Sequence, residues 1–197
     1  LVAAAVCALC AVSALALSPT LRQMLEAAQG SYTQYAAPVE SSAVQDGIEI
    51  RVISALADHT MIKVYAEVRD LEGKRLSGDM DMVGLVQPET FAQGIGISSC
   101  TNSGRCIGYD SETGTALLEI TTWGLIPGED TQLELEVVYM AAGEESWHIP
   151  FDPERQEVRR IALSDTVNGV PLERLELSPL GAALYAREYI GYSDVAI

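Results

Sequence analysis

The sequence predicts an all-β sandwich, and three observations carry that expectation. From Ala43 onward, apolar and polar residues alternate with a period of two. Turn signals rich in Gly, Asp, Asn and Pro fall roughly every ten residues and separate about seven short runs. Beyond Gly30 no helical period of 3.6 persists. A length of 197 residues is enough for a sizeable core, and 48% apolar residues with moderate Gly (16) and Pro (8) exclude a disordered or collagen-like chain.

The first element is of a different kind. Residues 1–21 carry no charge, so all 40 charged side chains lie after Leu21, beginning with Arg22. Leu1–Leu17 holds seven Ala, four Leu, three Val, two Cys and one Ser. That is the lower limit of a membrane span, and a weakly apolar one because Ala contributes little to insertion. It opens on Leu, and an upstream flank is expected. One reading of residues 1–21 is a transmembrane helix. The other is a signal-peptide apolar region, with Ala14-Leu15-Ala16 as an A-x-A cleavage pattern. Both export residues 22–197. Ser18-Pro19 is a helix start, Ser18 capping and Pro19 in the first turn, and Leu21, Met24, Leu25 and Ala28 share one face before Gly30 ends it. Residues 22–37 therefore read as a short amphipathic stalk or linker helix.

The strands follow. After the Asp46-Gly47 turn, Ile48, Ile50 and Val52 alternate with Glu49 and Arg51. Ile62, Val64, Ala66 and Val68 then oppose Lys63, Tyr65, Glu67 and Arg69, and Asp70–Lys74 turns the chain. Met80–Val86 reads as a shorter strand and Gln87–Gly104 as a long loop. Gly94-Ile95-Gly96 within it lacks the third Gly and the Lys-Ser/Thr pair of a phosphate loop. Cys106–Tyr109 and Ala116–Ile120 form a hairpin about Asp110–Gly114. Leu133, Leu135, Val137 and Tyr139 make the next row, and Trp147, Ile149 and Phe151 another. These place the sandwich at residues 38–154. Over residues 155–197, two more strands flank the Asn168-Gly169 hairpin signal, and we read them as the start of a second sandwich rather than the completion of the first.

Several of these segments resemble a known family. Leu17-Ser18-Pro19-Thr20-Leu21-Arg22, Ala43-Val44-Gln45-Asp46-Gly47-Ile48-Glu49-Ile50 and Val68-Arg69-Asp70-Leu71-Glu72-Gly73-Lys74-Arg75-Leu76 are similar to the domain of unknown function numbered 4179. The resemblance spans roughly residues 1–155 and rests on turn and strand spacing. It implies a bacterial single-pass protein with an immunoglobulin-like exported domain, encoded beside extracytoplasmic-function sigma factors and acting as an anti-sigma or sigma-regulating protein. Leu177-Ser178-Pro179-Leu180-Gly181 resembles the opening of the second such domain. The resemblance brings no catalytic motif, and the cytoplasmic segment that would touch a sigma factor is not among these residues.

Charge narrows the partners. With 12 Lys+Arg against 28 Asp+Glu, the net charge is −16, which argues against nucleic acid or an anionic membrane surface as ligand. Between Arg105 and Arg155 there are eleven acidic residues and no basic one. Asp79, Asp81, Glu129 and Asp130 could offer oxygen ligands, but the order of a calcium loop is absent, and a solvated face is the preferred reading.

The cysteines divide into two pairs. Cys7 and Cys10 sit in the apolar run and read as small packing residues. Cys100 and Cys106 lie in the exported half, where a disulfide is favoured over free thiols and would contribute roughly 2 kcal/mol. His59, in a turn, and His148, on the outward side of its strand, read as surface residues because neither has partners at metal-ligand spacing. No metal, cofactor or catalytic set is expected, and 6% aromatic residues is lean for a sugar-cleaving cleft. Tyr32, Tyr35 and Trp147 are the candidate interface residues. The two tyrosines fit either the bilayer surface or packing under the sandwich, with packing preferred.

The resulting expectation is a non-enzymatic, membrane-anchored extracytoplasmic domain that senses or regulates in a bacterial envelope signalling system. The alternative is a secreted or wall-associated binding or structural domain.

Overall fold

The computed structural model describes residues 17–73, 75–78, 82–88, 101–123, 132–139, 145–186 and 189–193. Helix α1 (Pro19–Gln29) opens it. Ser18 accepts a hydrogen bond from the Leu21 N–H at 3.3 Å, Pro19 occupies the first turn, and Gly30 at φ +51° ends the helix. A 3-10 turn (Gly30–Gln34) follows. Among the described residues no helix is long and apolar enough to cross a membrane. The stretch expected to cross lies outside them, with the exception of its last residues from Leu17 on.

Thirteen strands are described, all paired antiparallel. β1 (Ala37–Gln45), β2 (Ile48–Ala57), β3 (Met61–Asp70), β5 (Thr101–Asp110) and β6 (Thr115–Trp123) form a sheet in the order β1-β2-β3-β6-β5. β4 (Met82–Pro88), β7 (Leu133–Tyr139) and β8 (Glu145–Phe151) form a second sheet in the order β4-β7-β8. The inward rows of the first sheet, Ile48, Ile50, Val52, Ile62, Val64, Val68 and Ile120, meet Leu133, Leu135, Val137, Trp147, Ile149 and Phe151 of the second in one core. The sheets also approach along their edges, β5 beside β4 and β1 beside β8, where the Ser41 hydroxyl donates to the Pro150 carbonyl at 2.6 Å.

The expected turns appear where the sequence placed them. Asp46-Gly47 and Asn168-Gly169 have positive φ at both residues, the backbone a two-residue hairpin of matching twist requires.

Two elements depart from expectation. Helix α1 does not stand off as a stalk: Leu17, Leu21 and Leu25 pack with Ile53, Leu56, Met61, Tyr65, Leu117 and Leu180 on the outer face of the five-stranded sheet. Tyr65 and Glu67, expected on a wet face, are therefore buried at 0% and 4% exposure. The Tyr65 hydroxyl reaches the Ala28 carbonyl at 3.4 Å, and Gln29 Nε2 donates to Ser54 at 3.0 Å. The second departure is β5, which starts at Thr101 rather than Cys106. Its first half is polar because it runs along a sheet edge, held by its ladder to β6 with no inward apolar row to announce it.

A β-bulge between Val52 and Ser54 lets β2 serve both cores. Before it Ile48, Ile50 and Val52 face the sheet-to-sheet core; after it Ala55 and Ala57 do, while Ile53 and Leu56 turn to the helix. Gly108 of β5 sits directly under α1, and a Cβ placed there would lie 2.2 Å from Met24 Sδ.

The last strands form a sheet of their own. β9 (Arg159–Ala162) and β12 (Gly181–Ala186) flank β11 (Val170–Ser178), β13 (Tyr189–Ser193) pairs with β12, and β10 (Thr166–Val167) closes the Asn168-Gly169 hairpin. A parallel bridge from Ala57 to Arg155 and a Gln156 N–H to Ala57 carbonyl bond of 2.7 Å lead the chain into it.

Candidate functional site

A dense group of polar side chains lies where this C-terminal sheet meets the β2–β3 turn. Asp58, 2% exposed, begins it. Its Oδ1 accepts from the Thr60 N–H at 2.6 Å, the Thr60 hydroxyl at 2.9 Å and the Met61 N–H at 2.7 Å, the local bonding that makes Asp a turn former. Its Oδ2 accepts from the Ser178 hydroxyl. Ser178 Oγ in turn accepts from the Leu180 and Gly181 N–H groups at 3.0 and 3.3 Å, which sets the β11–β12 hairpin. One hydroxyl thus joins two turns that are 120 residues apart in sequence.

Glu176 is the second centre, also 2% exposed. Arg160 Nε and Arg174 Nε donate to one carboxylate oxygen at 2.9 and 3.0 Å, and His59 Nε2 donates to the other. The Tyr185 hydroxyl lies 3.2 Å from the same imidazole nitrogen, and the Arg174 guanidinium stacks 3.6 Å from the Tyr185 ring centroid. Burial alone would raise the Glu176 carboxyl, but the hydrogen bonds from Tyr185, Arg174 and His59 outweigh it and hold the group at about 2. Tyr185 is pushed up to about 12, first by burial and then by the neighbouring carboxylate. Glu176 is consequently ionised at neutral pH and ties the C-terminal sheet to His59 of the N-terminal unit.

Asp58, His59 and Ser178 supply the residue types of a hydrolase triad without its geometry. The Ser178 hydroxyl is directed to Asp58, is 6% exposed, and does not meet His59, whose Nε2 is committed to Glu176. A second row, on the outer face of the three-stranded sheet, comes closer. Glu134 accepts from His148 Nδ1 at 2.9 Å, leaving Nε2 to accept from the Ser146 hydroxyl at 3.3 Å. His148 is 51% exposed on the outer surface of that sheet. Such a row orders the polar side chains of this surface.

Beside the junction runs a groove of about 430 Å³, lined by Tyr35, Glu157, Arg159, Leu177 and Pro179 among others. Its walls come from the 3-10 turn, the 152–158 connection and the β11–β12 hairpin. Among the described residues, no group of three or more His, Cys, Asp or Glu side chains is placed to hold a metal ion.

The residues singled out in the sequence fall in different places. Tyr35 lines the groove, and its carbonyl accepts from Gln156 at 3.4 Å. Tyr32 packs against the helix-side core with the Lys63 ammonium 5.2 Å from its ring centroid. Trp147 is not an interface residue: it is 1% exposed in the main core, where its indole N–H donates to the Ile48 carbonyl at 3.1 Å. Cys106 is half-buried and its thiol donates to the Gly108 carbonyl at 3.3 Å. Cys100 lies outside the described residues, as do Cys7, Cys10, Asp79, Asp81, Glu129 and Asp130. His148 is exposed as expected, whereas His59 is a junction residue rather than a plain surface one. Glu176, Arg160, Arg174 and Asp58 had no distinguishing sequence signal. Glu176 sits between Leu175 and Leu177 in a strand, and a lone carboxylate there reads as the wet face.

A second polar contact fastens the entry of the helix. The Ser18 hydroxyl, besides capping α1, bonds to the Asp110 carboxylate, which also accepts from the Glu112 N–H at 2.9 Å. Those bonds, with that of Ser18 the largest effect, lower the Asp110 carboxyl below its ordinary value.

No family model matches the chain, and no curated protein does. Among solved structures, the chain is similar to one described as the crystal structure of the conserved domain protein from Bacillus anthracis, with a TM-score of 0.54 at 10% identity. The likeness covers 80% of this chain and 56% of that one, so this chain spans little more than half of the other's length, and what the two share is the fold.

Proposed function

We propose that this chain is a non-enzymatic, membrane-anchored extracytoplasmic module with an immunoglobulin-like sandwich, serving as a sensor or regulator in a bacterial envelope signalling system. Strand order supports the architectural part. β2-β3-β6-β5 opposite β4-β7-β8 matches the A-B-E-D and C-F-G sheets of a constant-type immunoglobulin domain, with β1 as an added edge strand. The inter-sheet disulfide of antibody domains has no counterpart among the described residues.

The observation that carries the functional part is the docking of α1. The charge-free stretch leads through Leu17 and Ser18 directly into a helix fixed to the five-stranded sheet by Leu21, Leu25, the Ser18–Asp110 bond and the Met24–Gly108 contact. A displacement passed on to Leu17 and Ser18 would then reach the sandwich through this docked helix. Contact with a sigma factor, the partner the family resemblance implies, would require a cytoplasmic segment.

The secreted alternative rests on Ala14-Leu15-Ala16. Leu17, which would become the mature N-terminus, is packed at 3% exposure in the helix-side core, and a free α-ammonium there would have to stay solvated beside it. This favours the anchored reading. Detergent extraction and N-terminal sequencing of the full gene product test the choice: an intact chain in the detergent phase is expected, and a soluble chain beginning at Leu17 would refute the anchor. Co-purification of a sigma factor with that product tests the partner, and its absence under several envelope stresses would refute the regulatory role.

A further inference from the structure

Two hairpins of this chain close on a positive-φ pair, Asp46-Gly47 and Asn168-Gly169, and they are built differently. Asp46-Gly47 is pinned and covered. The Asp46 carbonyl accepts from Arg75 Nη1 at 2.7 Å and the Gly47 carbonyl from the Leu71 N–H at 2.7 Å, while the Glu72 side chain lies 2.6 Å from where a Cβ of Gly47 would stand. Asn168-Gly169 has no such cover among the described residues. Every residue from Ser164 to Pro171 is exposed, and nothing lies within 4 Å of the Cβ position at Gly169. Val170 and Pro171 pair with β10 and, among the described residues, with no other strand, so the tip is a two-stranded ribbon running past the sheet. The Val167–Val170 pair closes it, and the Leu172 N–H donates to the Asp165 carbonyl at 2.8 Å below. A two-stranded ribbon with both faces wet is marginal by itself and opens without the rest of the fold.

We propose that Asn168 is a site of spontaneous covalent modification, at which the main chain rearranges to an isoaspartyl linkage. When the tip opens, the Gly169 amide nitrogen loses its proton to solvent and attacks the carbonyl carbon of the Asn168 side chain, closing a cyclic succinimide. The side-chain nitrogen takes up a proton and leaves as ammonia. Water then opens the ring, giving isoaspartate by attack at the backbone carbonyl and aspartate by attack at the side-chain carbonyl. Overall, water is consumed and ammonia released. Glycine hinders the attack least of all following residues, because it carries no side chain. The closed turn fixes the Asn168 and Gly169 dihedrals, at φ +52° and +83°, so attack waits on opening. Isoaspartate adds a main-chain carbon to a two-residue loop and a carboxylate in place of an amide, so the product no longer fits the turn that closed the ribbon.

The same chemistry is held back elsewhere. The chain has two asparagines, and the other, Asn102, lies within β5, its backbone paired with Thr122 of β6. Asp46 reaches the same succinimide by losing water, but its turn is tied to Arg75 and Leu71. The fold therefore directs the modification to a single hairpin.

The test is peptide mapping by mass spectrometry, with fragmentation that separates isoaspartate from aspartate. The full 197-residue chain is kept in detergent at neutral and mildly alkaline pH beside synthetic peptides spanning Asp46, Asn102 and Asn168. Asn168 of the folded chain should convert within about tenfold of its peptide's rate, with isoaspartate the major product and faster conversion as pH rises. Asp46 and Asn102 should each run at least about a hundredfold slower than in their own peptides. Amide exchange should show Val170 and Leu172 losing protection as Asn168 converts while β2 and β3 keep theirs. Asn168 left intact after its peptide has converted overturns the proposal, as does equal protection at all three positions. Conversion that proceeds only in step with loss of protection in β2 and β3 also overturns it, because global unfolding and not the open tip would then expose Asn168.

Discussion

Replacing Glu176 by Gln removes a negative charge from a side chain that is 2% exposed and neutralises the common partner of Arg160, Arg174, His59 and Tyr185. The carboxyl lies at about 2 in the folded chain against an ordinary value of 4.5, a difference worth about 3 kcal/mol in favour of the ionised form. The Arg160 and Arg174 side chains are 70% and 41% exposed, so solvent screens part of that and rehydrates both cations once the carboxylate is gone. The expected cost at pH 7 is therefore about 2 kcal/mol, confined to the docking of the C-terminal sheet. The sign with pH follows from the lowered value. The carboxylate contributes its full stabilisation above the unfolded value of 4.5 and loses it progressively as pH falls toward 2. Amide exchange in β11 and β12 is the assay, because it reads local opening where one global unfolding free energy would average over two units. The parent should show protection that decays between pH 4.5 and 2 once intrinsic exchange is corrected, and Glu176→Gln should lack that component and exchange about 30-fold faster at pH 7. Equal protection in the two proteins at pH 7, or an identical acid profile, would refute the assignment of Glu176 as the centre of the junction.

Three further outcomes follow from other contacts. Leu25→Ala should cost about 3 kcal/mol in a urea titration, since Leu25 is 5% exposed between α1 and the sheet and its truncation leaves a void; a change under about 0.5 kcal/mol would mean the helix is not docked. Gly108→Ala should destabilise by about 1 kcal/mol through its clash with Met24, and Met24→Ala in the same chain should relieve the clash; strict additivity of the two losses would contradict the contact. The guanidinium and backbone N–H of Arg75, the former 2.7 Å from Asp70 Oδ1, hold the Asp70 carboxyl well below the usual carboxylate range, opposed by burial. Carbon-detected NMR titration should find Asp70 still ionised at a pH where exposed aspartates are half protonated, and Arg75→Met should return it to the ordinary range.

The sequence revealed the strands wherever one face is wet and failed where that condition lapses. The twofold pattern of β3 predicts a strand, and the structure has one, but the same pattern puts Tyr65 and Glu67 in solvent because nothing in it announces a helix lying across the outer face. The hint was present in β6, where Leu117 and Leu118 are adjacent, as expected for a strand covered on both sides. β5 is longer than its pattern predicts because an edge strand is held by backbone bonds that leave no trace in side-chain hydrophobicity. The junction was illegible for a different reason. His59 and Glu176 are 117 residues apart, and each is an ordinary polar residue in its local context. Their meeting depends on how the C-terminal sheet turns, which periodicity does not specify.

The bulge in β2 has a consequence for how this chain can vary. Inserting one residue after Ser54 would rotate everything beyond it by one side: Leu56 would enter the sheet-to-sheet core where Ala55 and Ala57 now leave room for larger neighbours, and the two alanines would be left facing α1 where Leu56 stands. Both interiors would be wrong at once, one overfilled and the other hollow. Insertions should therefore accumulate at the Asp46-Gly47 and Asn168-Gly169 hairpins, where an added residue disturbs a single turn, while β2 admits none after its bulge; loss of Ile53 alone would straighten the strand and leave Ala55, Leu56 and Ala57 facing as they do. A stretch from Ser54 to Ala57 without insertions would be a mark of this fold in any set of its relatives.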